Sequence, residues 1–282
     1  MVWELFREKT KLLLRWLNLK YYALGTNHRC YVCGQSFRRF RPFRKGWKSV
    51  SPFLLELQTI GSDVENFACP LCGCHDRERH LLMFFDRLGL WSKIADSNVL
   101  HFAPERHLAT RIRQHHPATY IKADLTPSSP DVQPVDVTRI PFEDDWFEMI
   151  ICNHVLEHVP DDAKALAELF RVLKPGGCAV LQTPYSSLLQ NSFCDPGIDT
   201  DELRNRLYGQ EDHVRVYGRD LFTKIEQAGF DLQVKTHADV LADIATSYYG
   251  VNPREDLILV AKDAPTNLLQ KQYLAEERTP HG

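Results

Sequence analysis

Between Pro134 and Pro184 the chain runs through an extended stretch, a helix and a second extended stretch, and few folds accept that order at this spacing. An apolar run, Glu148 to Cys152, follows the acidic turn Glu143-Asp144-Asp145 and opens into a polar pair, Asn153-His154. The periodicity then predicts an amphipathic helix running to Leu173, stopped by Pro175-Gly176-Gly177, and a second buried strand, Cys178 to Thr183. Strand, helix and strand within about 40 residues form one right-handed crossover of a parallel sheet. Such sheets bind ligands beyond the carboxyl ends of their strands. The polar residues fall at those ends: Asp136 closing a short preceding strand, then Asn153, His154 and Thr183.

The same grammar continues on both sides. Asn98 to Phe102 predicts a strand, followed by the turn Ala103-Pro104-Glu105 and a helix from about Arg106 to His115. Thr119 to Ala123 predicts another strand, ending at Asp124. Leu125 to Pro134 holds three prolines and two serines, so the helix expected there is short or missing. Strands near Phe230 to Lys235 and Leu257 to Ala261 close the pattern.

In front of this body, Cys30-Tyr31-Val32-Cys33-Gly34 and Cys69-Pro70-Leu71-Cys72-Gly73 are matched knuckles. Two residues between thiolates let both sulfurs reach one ion, and two knuckles give a closed tetrahedral site that suits structural zinc. Cys74 and His75 stand beside the second knuckle as substitute ligands. Eight cysteines used this way fit a reducing cytoplasm better than a disulfide framework. Residues 36–48 interleave Phe37, Phe40, Phe43 and Trp47 with six or more cations, and no acid occurs between Glu8 and Glu56. That pattern reads either as the core of a small ribbon with a solvated basic face or as a polyanion surface able to bind RNA. Residues 1–97 carry 16 Lys and Arg against 9 Asp and Glu; the remainder carries 18 against 28. A basic front and an acidic body suggest two parts with different partners.

The organisation expected is an amphipathic helix within residues 1–27, a zinc-ribbon-like module over 28–75, a linking helix over 76–96, the main domain over 97–262 and a polar tail over 263–282. In the linking helix, Leu81, Leu82, Phe84, Phe85 and Leu88 bury while Arg77, Arg79 and His80 face polar surroundings. No apolar run reaches the roughly 20 residues of a membrane helix. The start lacks the long uncharged run and small-residue cleavage site of a signal peptide.

The stretch from Asp136 through Ile140-Pro141-Phe142, Leu156-Glu157-His158-Val159 and Leu173-Lys174-Pro175-Gly176-Gly177 resembles the class I S-adenosylmethionine-dependent methyltransferases, especially the type 11 group. It covers about 60% of the chain. A subgroup of these shares Val99-Leu100-His101-Phe102-Ala103-Pro104-Glu105, the paired knuckles in front and Asp212-His213-Val214-Arg215-Val216-Tyr217-Gly218 behind. The resemblance implies an α/β, Rossmann-like, seven-stranded and mostly parallel sheet with helices on both faces. It also implies S-adenosylmethionine as cofactor. Asp124 would hold the ribose hydroxyls, Asp136 with Val137 the adenine, and Ala103 and Glu105 the methionine end, with His101 and the Asn153 backbone as further cofactor contacts.

The first turn departs from the generic family pattern: Ala103, Glu105 and His107 occupy the usual glycine positions, and His101 stands where an acid is common. Ala103 keeps the backbone approach open if its φ is negative. Glu105 either accepts from the cofactor's amino group or caps the helix.

His154 is placed to contact the acceptor. The long segment Ser186 to Gly218 is placed to cover it. There His213 could take a proton. Arg215 could hold an anionic acceptor, fix Asp212, or belong to an internal ion-pair lock. Methyl transfer to an oxygen or nitrogen of a small or sugar-containing molecule leads. An RNA acceptor is the alternative, since a zinc module before such a body resembles ribosomal-RNA guanine methyltransferases. A non-catalytic ribbon protein is a third reading.

Overall fold

The computed structural model describes residues 20–263, with Arg7 the one described position ahead of them. Most of the expected amphipathic helix and nearly all of the expected polar tail therefore lie outside the described residues. A two-stranded antiparallel hairpin, β1 (His28–Arg29) and β2 (Ser36–Phe37), carries the first knuckle. A short helix follows, α1 (Pro52–Glu56), capped by Ser51, whose hydroxyl accepts from the Leu54 N–H. The linking helix is α2 (Asp76–Leu88).

The body alternates β3 (Asn98–Phe102), α3 (Arg106–Gln114), β4 (Thr119–Asp124), β5 (Gln133–Pro134), β6 (Phe147–Cys152), α4 (Asp162–Val172) and β7 (Leu173–Val180). It continues through α5 (Asp201–Leu207), α6 (Asp220–Gln227), β8 (Asp231–Lys235), α7 (His237–Val240), α8 (Thr246–Tyr249) and β9 (Leu257–Ala261). The seven strands β3 to β9 lie in the order β5-β4-β3-β6-β7-β9-β8, with β9 antiparallel to both neighbours and the other pairings parallel. Phe147, Met149, Ile150, Ile151 and Cys152 of β6 are all fully buried, because the central strand is covered on both faces. Sequence order reverses between β3 and β6, and the crevice of an open parallel sheet opens at such a switch point.

Three expectations change. β5 is two residues long, because Pro134 has no N–H to extend the ladder, and Asp136 lies two residues past the strand it was expected to close. The crossover helix begins only at Asp162: a 3-10 turn, Leu156–His158, and Pro160 come first. Finally, β7 starts at Leu173. Leu173 pairs with Phe147 and Cys178 with Met149, so Pro175-Gly176-Gly177 forms an irregularity inside the strand instead of a spacer before it. Gly176 there has φ 81°, and a Cβ on Gly177 would meet the Lys174 and Glu148 carbonyl oxygens at 2.9 and 3.0 Å.

Helix α2 also differs. Arg79 and His80 are 0% and 1% exposed, not surface groups. The Arg79 guanidinium donates to the carbonyls of Asn66, Phe67 and Cys74 on the module side and of Tyr249 and Gly250 on the body side, at 2.6–3.2 Å. Its five donors replace water with five carbonyls, which is what lets a charge be buried there. Within the module, Phe37 and Phe40 are buried edge-to-face at 4.7 Å, and Phe43 lies 5.0 Å from Phe67. Phe37 and Phe40 form the ribbon's core, while Phe43 and Phe67 are half-buried.

Candidate active site

A cavity of about 660 Å³ opens beyond the carboxyl ends of β3, β4 and β6. Ala103, Asp124, Asp136, Val137, His154 and His158 line it. At Ala103 the backbone has φ 45°, the left-handed conformation that glycine usually supplies, so the expectation of a negative φ does not hold. Each acid closes its own turn with one oxygen. Asp124 Oδ1 accepts from the Thr126 N–H at 2.9 Å, and Asp136 Oδ1 accepts from the Thr138 N–H and hydroxyl, both at 2.8 Å. The second oxygen of each acid meets no donor among the described residues, and it is the one available to a ligand.

Glu105 sits at the N-cap of α3 without capping it. Its carboxylate instead accepts from His101 Nε2 at 2.9 Å and from the Asn153 amide. Burial pushes the Glu105 carboxyl up, but the hydrogen bond and charge of His101 outweigh it and hold it below the usual range. His101 is fully buried, with its other nitrogen on the Tyr120 hydroxyl at 2.9 Å. It therefore fixes Glu105 from behind, and none of His101, Glu105 and Asn153 is among the residues that line the cavity. Asn153 is 3% exposed, and its Oδ1 has no partner among the described residues.

A second cavity, about 990 Å³, lies between the module and the body. Phe43, Trp47 and Leu54 form one wall; Tyr208, Gln210 and His213 of the long segment after β7 form the other. His154 lines both cavities. It is held with φ 54°, Nδ1 3.1 Å from Glu157 and Nε2 3.2 Å from Glu255. Burial and Arg77 pull its pKa down, but the two carboxylates win and raise it. Burial likewise raises the Glu157 carboxyl, yet His154 holds it down to about 2. With both ring nitrogens engaged by carboxylates, His154 has no lone pair to offer. It is a fixed cation, not a base.

His213 is 6% exposed. Its Nδ1 lies 2.9 Å from the Tyr208 carbonyl, which only an N–H can satisfy, so Nε2 carries the lone pair. Nε2 has no partner, and burial lowers the ring's pKa, keeping it neutral. Arg215 takes the internal-lock role. Its guanidinium pairs with Asp162 at 2.5 Å and donates to the carbonyls of Val159 and Pro160 at 2.7 Å, so it neither holds an acceptor nor fixes Asp212. Asp212 turns to His158 Nδ1, 3.3 Å away.

In the module, the sulfurs of Cys30, Cys33, Cys69 and Cys72 lie within 4.8 Å of one another. The Cys30–Cys72 and Cys33–Cys69 separations are 3.7 and 4.0 Å, against about 3.8 Å between thiolates around tetrahedral zinc. The Leu71 and Cys72 N–H groups point at Cys69 Sγ, as a thiolate in a knuckle requires. His75 is withdrawn, stacked on Phe67 at 4.2 Å; Cys74 Sγ is 3.2 Å from Cys30 Sγ. The donor set fits zinc.

Glu157, Glu255, Arg77 and the module's share of the larger cavity escape sequence reasoning. Glu157 alone had a signal, inside Leu156-Glu157-His158-Val159.

Residues 95–181 match the family described as a methyltransferase domain. Over 54 residues the chain is 44% identical to a ubiquinone/menaquinone biosynthesis C-methyltransferase of Desulfotalea psychrophila, 19% of this chain and 22% of that one. It is 26% identical over 149 residues to a protein of Mycolicibacterium smegmatis named as an S-adenosylmethionine-dependent methyltransferase, 52% of each chain. The matched stretches thus span about half or less of these relatives. Among solved structures, an S-adenosylmethionine-dependent methyltransferase from Mesorhizobium loti aligns with 13% identity and a TM-score of 0.43, covering 63% of this chain and 97% of that one. Over residues 95–181, therefore, the chain is similar to a methyltransferase domain.

Proposed function

We propose that the protein transfers a methyl group from S-adenosylmethionine to an oxygen or nitrogen of a small acceptor seated in the larger cavity. One observation carries this reading: His154 borders both cavities, so a donor in one and an acceptor in the other meet at a single place. Bound, the cofactor would supply an electrophilic methyl on its sulfonium. The chain supplies alignment and dryness. The open oxygens of Asp124 and Asp136 suit the nucleoside's hydroxyl and amino donors, with Val137 as an apolar wall. The charged Glu105, fixed by His101, suits the cofactor's ammonium group. His154 stays cationic between its two carboxylates, and His213 lines the acceptor's cavity.

A relative named for ubiquinone/menaquinone biosynthesis favours a small acceptor over RNA, although that relative is named a C-methyltransferase and so speaks to acceptor size and not to the atom methylated. Phe37 and Phe40 are buried, which leaves Phe43 and Trp47 as the aromatic residues of 36–48 that face the larger cavity. Zinc on Cys30, Cys33, Cys69 and Cys72 would be structural, since four thiolates leave no open position. Such thiolates fit a reducing compartment such as the cytoplasm.

Calorimetric titration of S-adenosylmethionine into the full chain tests this. Saturable binding, weakened about tenfold or more by Asp124→Ala, is the expected result. A folded wild type that takes up no cofactor would overturn it.

A further inference from the structure

We propose that Glu157, His158 and His213 form a second metal site, for a divalent cation, between the two cavities. One carboxylate oxygen and one nitrogen from each ring lie within 4.8 Å of one another. The site itself rests on this geometry; only the metal's task rests on the methyl-transfer reading.

Four observations point the same way. First, the donor set is two imidazoles and one carboxylate. That set suits zinc, manganese or ferrous iron and leaves positions open, unlike the closed cysteine cluster. Second, His213 commits its Nδ1 to the Tyr208 carbonyl at 2.9 Å, and His158 Nδ1 faces the Asp212 carboxylate at 3.3 Å. A backbone carbonyl and a carboxylate are the partners that metal-bound histidines use to fix their tautomer, with the lone pair then on Nε2. Third, His213 is 6% exposed, yet its Nε2 has no partner among the described residues. A buried acceptor left unmade is costly, and a cation would satisfy it. Fourth, no hydrogen bond joins either ring to Glu157 among the described residues. Glu157 is held instead by His154 at 3.1 Å and the Thr183 hydroxyl at 2.8 Å, while the two rings meet edge-to-face at 4.7 Å. The three groups converge without bonding one another.

The position gives the metal its task. His158 lines the cofactor cavity and His213 the acceptor cavity. A cation there binds an acceptor oxygen at the point of transfer and lowers the pKa of that hydroxyl. The hydroxyl proton passes to water, the oxygen's electron pair forms the new bond to the methyl carbon, and the carbon–sulfur bond breaks with its pair left on sulfur. The acceptor class is thereby narrowed to a hydroxyl. His213 serves as a ligand, and no separate base is needed.

Cobalt(II) distinguishes the two sites, because thiolate ligands give an intense charge-transfer band that nitrogen and oxygen ligands lack. Titrating Co²⁺ into metal-free full-length protein should show two equivalents, one with that band and one with weak visible bands only. His213→Ala and His158→Ala should each abolish the second equivalent and leave the thiolate band intact. Asp212→Asn, on an exposed residue, should weaken the second site by about ten- to a hundredfold. A single thiolate-bound equivalent, or a second equivalent indifferent to both histidine variants, would overturn the proposal. Binding of S-adenosylmethionine to the wild-type protein reads the methyl-transfer hypothesis separately. If cofactor binding fails while the second cobalt is present, only that hypothesis falls.

Discussion

Asp76 is a carboxyl group where a carboxylate is hard to keep. It is fully buried at the start of α2, with one oxygen accepting from the Asp63 N–H and the other unpartnered. Burial, then the nearby Glu255 charge, push its pKa from an ordinary 3.8 up to about 7, against the pull of Arg79. The unfolded chain sheds this proton near pH 4, whereas the folded chain keeps it until about pH 7. Across that window the unfolded state binds fewer protons, so this group's contribution to stability falls as pH rises. Asp76→Asn keeps an acceptor oxygen and removes the ionisation. The Tm of the variant relative to wild type should therefore climb between about pH 4 and 7, on the order of a few degrees. A Tm difference that stays flat with pH would sink this account. At this scale the sequence is legible where a residue's partner is local: Asp124 and Asp136 sit in their own turns, and the cysteines announce themselves by spacing. It is illegible where the partner is remote. Nothing near His154 forecasts Glu255, which reaches it from 101 residues away and turns an expected acceptor contact into a clamped cation.

Among the elements, the β3–α3 turn departs furthest from the family's glycine pattern. Ala103 holds φ 45° with a Cβ, a strain worth roughly 1–2 kcal/mol. Ala103→Gly relieves it but gives the unfolded chain about 0.4–1 kcal/mol of extra freedom. The net change in urea unfolding should be within about 1 kcal/mol, with cofactor affinity kept. Ala103→Val, β-branched at the same φ, should lose stability well beyond that. If the glycine variant proved the more damaging of the two, the Cβ of Ala103 would have a role that strain does not describe. The turn shows why elements were legible where boundaries were not. β3 and β9 were predicted to the residue because apolar runs mark buried strands. The start of β7 was missed because Pro175-Gly176-Gly177 signals a break equally well between elements and within a strand. β5 was overextended because Pro134 removes the ladder donor just where the run looked strand-like.

For the whole molecule, the opposite charges of front and body suggested separate partners, but the two parts meet. Ile60 and Tyr185 exchange backbone hydrogen bonds at 2.7 and 3.1 Å, and Ile60 joins the body's core. Arg79 ties module carbonyls to body carbonyls, and Arg44 pairs with Glu211 at 2.9 Å. Composition could not show this seam, because a seam depends on which faces touch. The module then has a place that its cysteines alone do not reveal: residues 43–67 wall the larger cavity, while no described residue before Phe102 lines the smaller one. Stripping metal from the four cysteines leaves their thiolates repelling one another and loosens that wall first. A chelator should speed amide hydrogen exchange across residues 28–75 while β3, β6 and β7 stay protected. Affinity for S-adenosylmethionine should hold within about threefold, since its cavity is built from the body. Cofactor affinity that declines in step with zinc loss would instead make the module part of the cofactor site, and the division of labour between the two cavities would have to be redrawn.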